Sequence, residues 1–143
     1  MNIYTEYRYL IVPLLTWFFI QLFKVIWDIV TTKKFNFKRI LGAGGMPSSH
    51  TAVVISLATM IGRSEGINSS IFAMAIIFAL IVMYDAAGVR RETGKQARIL
   101  NEIVHTPGLS NVEVKEKLVE AVGHTPTQVF VGAFIGVIVG LIF

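Results

Sequence analysis

Four long apolar segments separated by polar connections dominate the pattern of this chain. They cover residues 9–30, 47–61, 69–87 and 125–143, and each is long or nearly long enough to cross a bilayer as a helix. An untilted span needs about 20 residues, so the second segment is short. We expect that segment to be partly re-entrant or buried among its neighbours, where protein can surround it. The pattern predicts an all-α polytopic membrane bundle with about four membrane helices.

The composition supports a single membrane domain covering residues 1–143. The chain is 54% hydrophobic and only 15% charged, against about 45–50% and about 25% in typical globular proteins. It has no cysteine, which excludes disulfides, a thiolate nucleophile and a zinc–sulfur site. Its N-terminal apolar run lacks a basic leader and is too long for a cleavable signal peptide. The net charge of +4 could suit nucleic acid, but the basic residues flank apolar segments, so we expect no nucleic-acid partner.

The basic residues predict an orientation in the membrane. Two connections carry most of them, and these residues are Lys33, Lys34, Lys38, Arg39, Arg90, Arg91, Lys95, Arg98, Lys115 and Lys117. The other side has only Arg8 and Arg63. By the positive-inside rule, both basic connections are expected in the cytoplasm and the protein in the plasma membrane.

Residues 88–123 are expected to form a cytoplasmic helical insertion. Residues 92–104 have a helical composition, and the Thr-Pro-Gly stretch at 106–108 should end that helix. Residues 111–121 alternate charged and apolar positions, which predicts a second helix lying at the membrane interface.

The last apolar segment has a face of small residues. Gly132, Gly136 and Gly140 recur every four residues, and this spacing lets helix backbones approach closely in lipid. The face can pack within the chain or form a homodimer, and the sequence leaves both alternatives open.

The most informative motif is Gly-Gly-Met-Pro-Ser-Ser-His-Thr at residues 44–51. Pro47 suits the first turn of a helix, and Ser48 and Ser49 can cap the free N–H groups there. With His50 one turn further in, this helix start offers the donors of an anion site, phosphate above all. The alternative is ordinary capping beside a hydrogen-bonded histidine.

The predicted orientation brings further polar residues to the same end of the bundle. Asp85 ends the third segment and is followed by Arg90 and Arg91, while His124 precedes a second capping pattern at Thr125 and Pro126. Arg90 and Arg91 could instead anchor lipid headgroups or set topology, and His124 could be a helix-cap histidine.

The first segment adds Gln21, Lys24 and Asp28, which share one helical face. Ionisable groups at membrane depth are usually functional or paired. Lys24 and Asp28 could therefore pair with each other at a spacing of four residues.

These residue types fit phosphoryl chemistry. Cations and helix N-termini neutralise phosphate oxygens, one histidine can attack phosphorus or activate water, and the other can protonate the leaving oxygen. Asp85 can orient the attacking imidazole, with Glu120 as a rival. No sequential carboxylate cluster is present, so we expect neither metal nor cofactor; Asp85 with Glu92 or Asp28 is the alternative divalent-ion site.

At these residues the chain resembles the divergent branch of the type 2 phosphatidic acid phosphatase superfamily, which is related to acid phosphatases and vanadium haloperoxidases. The matching stretches are residues 44–50, 81–91, 94–97, 100–101 and 123–126, with Gln21 and Lys24. The resemblance implies a helical membrane protein that dephosphorylates a lipid phosphate or diphosphate.

The wider superfamily has three signatures: a lysine six residues ahead of Arg-Pro, a Pro-Ser-Gly-His, and a Ser-Arg followed by histidine and aspartate. Only the second has a counterpart here, with Ser49 in place of glycine, which implies a leaving-group acid role for His50. His124 has Gln128 rather than an aspartate four residues later, so its role as nucleophile is inferred from the expected geometry.

The sequence thus predicts a hydrolase whose substrate is a phosphorylated membrane lipid. The expected catalytic residues are His50, His124 and Asp85, and the expected substrate-binding residues are Lys24, Gln21, Ser48, Ser49, Arg90 and Arg91. A non-catalytic binder or transporter of such a lipid is the first alternative. A structural subunit that docks a partner through the glycine face is the second.

Overall fold

The computed structural model describes residues 3–33, 45–106, 117–120 and 122–143. These residues form five helices, α1 (Ile3–Thr32), α2 (Ser49–Glu65), α3 (Ser70–Ala87), α4 (Val89–His105) and α5 (Pro126–Ile142). The predicted all-α membrane bundle is confirmed. The parts of the prediction that fall on Gly44, Lys34, Lys38, Arg39, Lys115 and residues 107–116 lie outside the described residues.

Two helical stretches are long and apolar enough to cross a membrane. They are α1 and the continuous stretch Ser70–His105, which comprises α3 and α4 and turns at Gly88; α5 is apolar but shorter. At 1.5 Å per residue α1 is about 45 Å long, more than the hydrocarbon core of about 30 Å. Large apolar side chains on the outer faces are exposed, including Phe19, Ile81 and Phe130. Such a surface suits contact with lipid.

Helix α2 occupies the centre of the bundle and packs against α1, α3 and α5. Its buried face carries small and hydroxyl side chains, with Thr51, Ala52 and Ser56 fully inaccessible to solvent. Because its neighbours are protein, α2 does not need the length or the apolar surface of a lipid-exposed span. The expectation that this short segment is buried among the other helices is confirmed.

The glycine face of α5 packs against the backbone of α2. A Cβ atom added to these glycines would lie 2.5–2.7 Å from α2 carbonyl oxygens, in the pairs Gly132 with Ser48, Gly136 with Ala52 and Gly140 with Ser56. Both helices advance by four residues from one pair to the next, so they run parallel and begin at the same end. Of the two alternatives for this face, the structure shows packing within the chain, and a dimer through it would have to displace α2.

Polar contacts close the opposite end of the bundle. The Arg63 guanidinium donates hydrogen bonds to the carbonyl oxygens of Gly140 and Leu141 at 3.0 and 2.6 Å. These carbonyls end α5 and have no partner within the helix. The Tyr9 hydroxyl donates to Ser64, which joins the first turns of α1 to the end of α2. The helix starts that carry the candidate site therefore lie together at the other end.

Three local predictions need correction. Helix α1 begins at Ile3 rather than residue 9. Pro47 precedes the cap residue of α2 instead of occupying its first turn. Residues 117–120 are not helical, because the Asn101 side chain donates to Leu118 O and accepts from Leu118 N, both at 2.9 Å. This pair of hydrogen bonds satisfies the backbone groups that a helix would have used.

The close approach of α5 to α2 predicts that Gly136→Ala destabilises the protein. Alanine is the better helix former by about 0.8–1 kcal/mol, but its Cβ would meet Ala52 O at 2.7 Å. Overpacking of this kind costs about 1–3 kcal/mol. We expect a lower thermal midpoint in detergent, whereas Val137→Leu, on the exposed face of α5, should leave it unchanged. A midpoint equal to or above that of the wild type would contradict the packing argument.

Candidate functional site

Each helical segment contributes one ionisable side chain to a cluster at the end where α2 and α5 begin. We call this group the histidine cluster, and its members are Lys24 of α1, His50 of α2, Asp85 of α3, Arg90 of α4 and His124 just before α5. His50 interacts electrostatically with Arg90, Lys24 and Asp85. His124 interacts with Lys24, His50 and Arg90. The predicted convergence of these five residues is present in the structure.

The first turn of α2 is tied to the first turn of α5. Ser48 caps α2: its hydroxyl accepts from Thr51 N at 3.4 Å and from the Thr51 hydroxyl at 3.0 Å. The Ser48 N–H donates to Gln128 O at 3.1 Å. Ser49 begins the helix and is buried. Ser48 was expected to bind substrate, but its buried hydroxyl is used for capping.

The start of α5 is fixed by a capping box. The Thr125 hydroxyl accepts from Gln128 N at 3.4 Å, and the Gln128 carbonyl oxygen Oε1 accepts from Thr125 N at 3.0 Å. The expected capping role of Thr125 is confirmed. Just before it, His124 N donates to Ala86 O at 3.0 Å, which holds the end of α3 against the start of α5.

The capping box also sets the tautomer of His124. Thr125 N–H is a donor, so the Gln128 atom that it contacts must be the amide oxygen. The same oxygen lies 3.2 Å from His124 Nδ1 and can only accept, so Nδ1 carries the proton. In the neutral imidazole the lone pair is therefore on Nε2. The capping interpretation of His124 thus holds for one ring nitrogen and leaves the other available.

His124 is 2% exposed, and its Nε2 has no hydrogen-bond partner among the described residues. Buried polar atoms are nearly always paired, and an exception calls for an explanation. Burial lowers the pKa of His124 below its usual 6.5; the Gln128 hydrogen bond opposes this shift, and Lys24, His50 and Arg90 add to it. The ring is thus neutral near pH 7, with an unused acceptor facing a cationic neighbourhood.

The carboxylates expected to orient His124 make other contacts. Asp85 accepts from Arg90 Nε at 2.5 Å, and Glu120 accepts from the Asn101 amide at 2.9 Å. Gln128, a neutral amide, contacts His124 instead. In the sequence, Gln128 stands out only as a departure from the superfamily pattern. The signal that identifies it is the capping box, in which the third residue after the cap reaches back.

The structure separates Arg91 from Arg90. Consecutive helical residues point about 100° apart, so Arg90 joins the histidine cluster while Arg91 lines a polar cavity of about 500 Å³ with Lys95 and Arg98. We call this space the α4 cavity. Neither Lys95 nor Arg98 was expected at the site, although their spacing from Arg91 by four and seven residues places all three on one helical face.

Gln21 and Lys24 lie on the buried side of α1, at 8% and 6% exposure, whereas Asp28 is half-buried. A buried ammonium at this depth brings positive charge beside the two histidines.

The described residues contain no group of three or more histidine, aspartate or glutamate side chains that could hold a metal ion. Asp85 contacts Arg90, and Glu92 contacts Lys95 at 2.7 Å. Both carboxylates of the alternative divalent-ion site, Asp85 and Glu92, therefore already pair with a cationic side chain.

Comparison with known proteins assigns a family. A family model described as the divergent PAP2 family matches residues 5–139. A Bacillus subtilis (strain 168) protein called "Uncharacterized membrane protein YuiD" is 37% identical over 135 residues, covering 87% of this chain and 85% of the relative. No solved structure matches the chain.

The lowered pKa of His124 predicts a loss of stability in acid. Below its usual pKa of 6.5 the unfolded chain binds a proton at this histidine that the folded chain resists, so stability falls as the pH drops through that range. We expect the thermal midpoint to decrease between pH 7.5 and 5.5, and the decrease to be smaller in His124→Gln. His105→Gln, at an exposed position on α4, should keep the wild-type profile. An unchanged profile in His124→Gln would contradict the assignment of a buried neutral ring.

Proposed function

We propose, because this chain belongs to the divergent PAP2 family, that it hydrolyses the phosphomonoester or diphosphate headgroup of a membrane lipid at the histidine cluster. The observation that carries the proposal is His124, a buried neutral imidazole whose Nε2 acceptor has no partner in the described part of the chain. Its surroundings include a second histidine and two cations. Ionisable groups that cluster at membrane depth are usually functional or paired, and the cations here would neutralise phosphate oxygens.

Phosphate binding is supported by the charges around the two histidines. Lys24 and Arg90 bring positive charge from two directions, and the parallel α2 and α5 place two helix N-termini at the same end. Each N-terminus carries partial positive charge, so their fields add at the cluster. A phosphate here would replace Asp85 as a partner of Arg90 or share it.

The histidines divide the chemistry between them. His124 Nε2 has the lone pair needed to attack phosphorus or to remove a proton from an attacking water. The new bond to phosphorus forms as the bond to the lipid oxygen breaks, and a protonated His50 gives this oxygen its proton. If His124 is the nucleophile, water then breaks the N–P bond to release phosphate, and His50 takes up the proton of that water. Gln128 holds the His124 ring and its tautomer but adds no negative charge. These steps need no metal or cofactor.

A lipid substrate is supported by an apolar groove beside the cluster. Ile20, Phe23, Met46, Pro47 and Val131 line a space of about 500 Å³ between α1, α5 and the start of α2. Phe23 adjoins Lys24 in the chain, and Pro47 precedes His50 by three residues, so the groove is lined by the segments that carry two members of the cluster. A hydrocarbon chain would lie there with its phosphate at the histidines.

The basic connections support a cytoplasmic location for this end of the bundle, in the plasma membrane. Among the described residues Arg90, Arg91, Lys95 and Arg98 belong to that end, whereas Arg63 contacts the opposite ends of α2 and α5. The positive-inside rule then places the substrate headgroup in the inner leaflet.

Binding or transport of a phosphorylated lipid without turnover is the second candidate. It is favoured by the engagement of Asp85 with Arg90, because no carboxylate among the described residues then contacts His124 to stabilise an imidazolium. In this case the cluster would bind the same headgroup and release no phosphate.

The first test is phosphate release from a panel of lipid phosphates by detergent-purified protein, with and without divalent metal. His50→Ala and His124→Ala should each reduce release about 10²-fold or more, the usual contribution of an acid–base group. The control variant His105→Ala should release phosphate at the wild-type rate. Activity that survives both changes would overturn the site, and binding without release in a folded wild-type protein would favour the second candidate.

The groove predicts a dependence on chain length. Val131→Trp fills it, and losing contact with about two methylene groups at about 0.8 kcal/mol each would raise KM roughly tenfold for long-chain substrates. KM for a short-chain analogue should stay unchanged. The control is Val137→Trp, on the exposed face of the same helix, which should behave like the wild type. An equal effect on both chain lengths would contradict the groove assignment.

A further inference from the structure

The α4 cavity is a second cationic space beside the histidine cluster. Arg91, Lys95 and Arg98 supply its positive charge, and the opposite wall consists of Gly45, Gly123, His124, Thr125, Gln128 and Glu120. Three cations thus face one carboxylate. Its volume of about 500 Å³ lies within the usual range of about 300–1,000 Å³ for small-ligand sites.

Two glycines fix the shape of this cavity. A Cβ atom at Gly123 would collide with Arg91 N, and one at Gly94 would collide with Glu120 O. In each case the obstacle is backbone, which cannot rotate away. The segment before α5 is therefore in close backbone contact with α4. This contact fixes the position of the cavity wall that lies opposite Arg91, Lys95 and Arg98.

The cations of the α4 cavity are available for a ligand. Lys95 pairs with Glu92 at 2.7 Å and Arg98 with Glu102 at 3.3 Å, but both pairs are more than half exposed. Exposed ion pairs of this kind contribute little and can be exchanged for a more highly charged partner. Arg91 makes no ion pair within the described part of the chain. Arginine offers a fork of N–H donors that matches phosphate oxygens.

His124 connects the two spaces. It belongs to the histidine cluster and also lines the α4 cavity. A phosphate group in the α4 cavity would therefore lie against the same imidazole whose Nε2 is assigned to the histidine cluster.

We propose that the α4 cavity is a second phosphate-binding site, formed by Arg91, Lys95 and Arg98 next to His124. Its occupant is a phosphate group supplied either by the second phosphate of a lipid headgroup or by free orthophosphate. The headgroup source rests on the proposed function and narrows it: the substrate then carries two phosphates, one at each site.

Binding of non-hydrolysable lipids separates this proposal from catalysis. We would measure Kd in nanodiscs for a monophosphonate lipid and for two bisphosphonate lipids of equal chain length, one with adjacent groups and one with a glycerol spacer. A bisphosphonate lipid should bind wild-type protein at least tenfold more tightly than the monophosphonate. In Arg98→Gln and Lys95→Gln this preference should fall to threefold or less, with monophosphonate binding unchanged. Arg98→Lys should keep most of the wild-type preference for the bisphosphonate lipid.

Lys117→Gln is the matched control, because it removes the same charge from an exposed position outside the cavity lining. It should keep the wild-type preference. Titration of lipid-free protein with orthophosphate tests the other source, which is supported if binding is lost in Arg98→Gln and kept in Lys117→Gln.

The proposal is overturned if neither bisphosphonate lipid is preferred and orthophosphate does not bind. It is also overturned if Lys117→Gln weakens binding as much as Arg98→Gln. Phosphate release in the enzyme assay, with neither a bisphosphonate preference nor orthophosphate binding that depends on Arg98, would leave the proposed function intact and remove the second site. A binding preference for a bisphosphonate lipid without any phosphate release would support the second site and remove the proposed function.

Discussion

The structure depends on the close contact between the glycine face of α5 and the backbone of α2. Lipid gives helices no hydrophobic reason to associate, so close backbone packing must supply much of the attraction. Glycines every four residues allow it over the length of α5. The same contact makes the two helices parallel and brings their N-termini together. The dipoles of two parallel helices repel each other at each end. At the end that carries the site, this repulsion is offset by the hydrogen bond from Ser48 N to Gln128 O and by the N-caps Ser48 and Thr125.

The central position of α2 explains why a polar helix can exist in a membrane protein. The Ser49, Thr51 and Ser56 side chains are buried among three neighbouring helices, and the Ser56 and Thr59 hydroxyls donate to carbonyls of the preceding turn. His50 is carried into the bundle on this helix. Since Lys24, Asp85, Arg90 and His124 come from other segments, the histidine cluster forms only when the whole bundle has assembled.

Gln128 gives the candidate site its particular character. A carboxylate on Nδ1 would favour a charged imidazolium strongly, whereas the amide oxygen of Gln128 fixes the tautomer and favours the charged ring less. Burial outweighs the Gln128 hydrogen bond and lowers the pKa of His124, and the nearby cations reinforce this. An incoming phosphate would change the balance, because its negative charge would favour protonation of both histidines.

The sequence by itself determined the helical membrane class, the four apolar segments that form helices and the family, because long apolar runs and short local motifs encode these features directly. It also placed His50, His124, Asp85, Lys24 and Arg90 at one end, since helix direction and charge asymmetry fix which residues share a side. Only the tertiary structure decided that Gln128, not Asp85 or Glu120, contacts His124, that Arg91 turns away from Arg90, and that the glycine face packs on α2. These outcomes depend on rotation of each helix about its axis and on which neighbour it meets, and neither is written in the local pattern of residues.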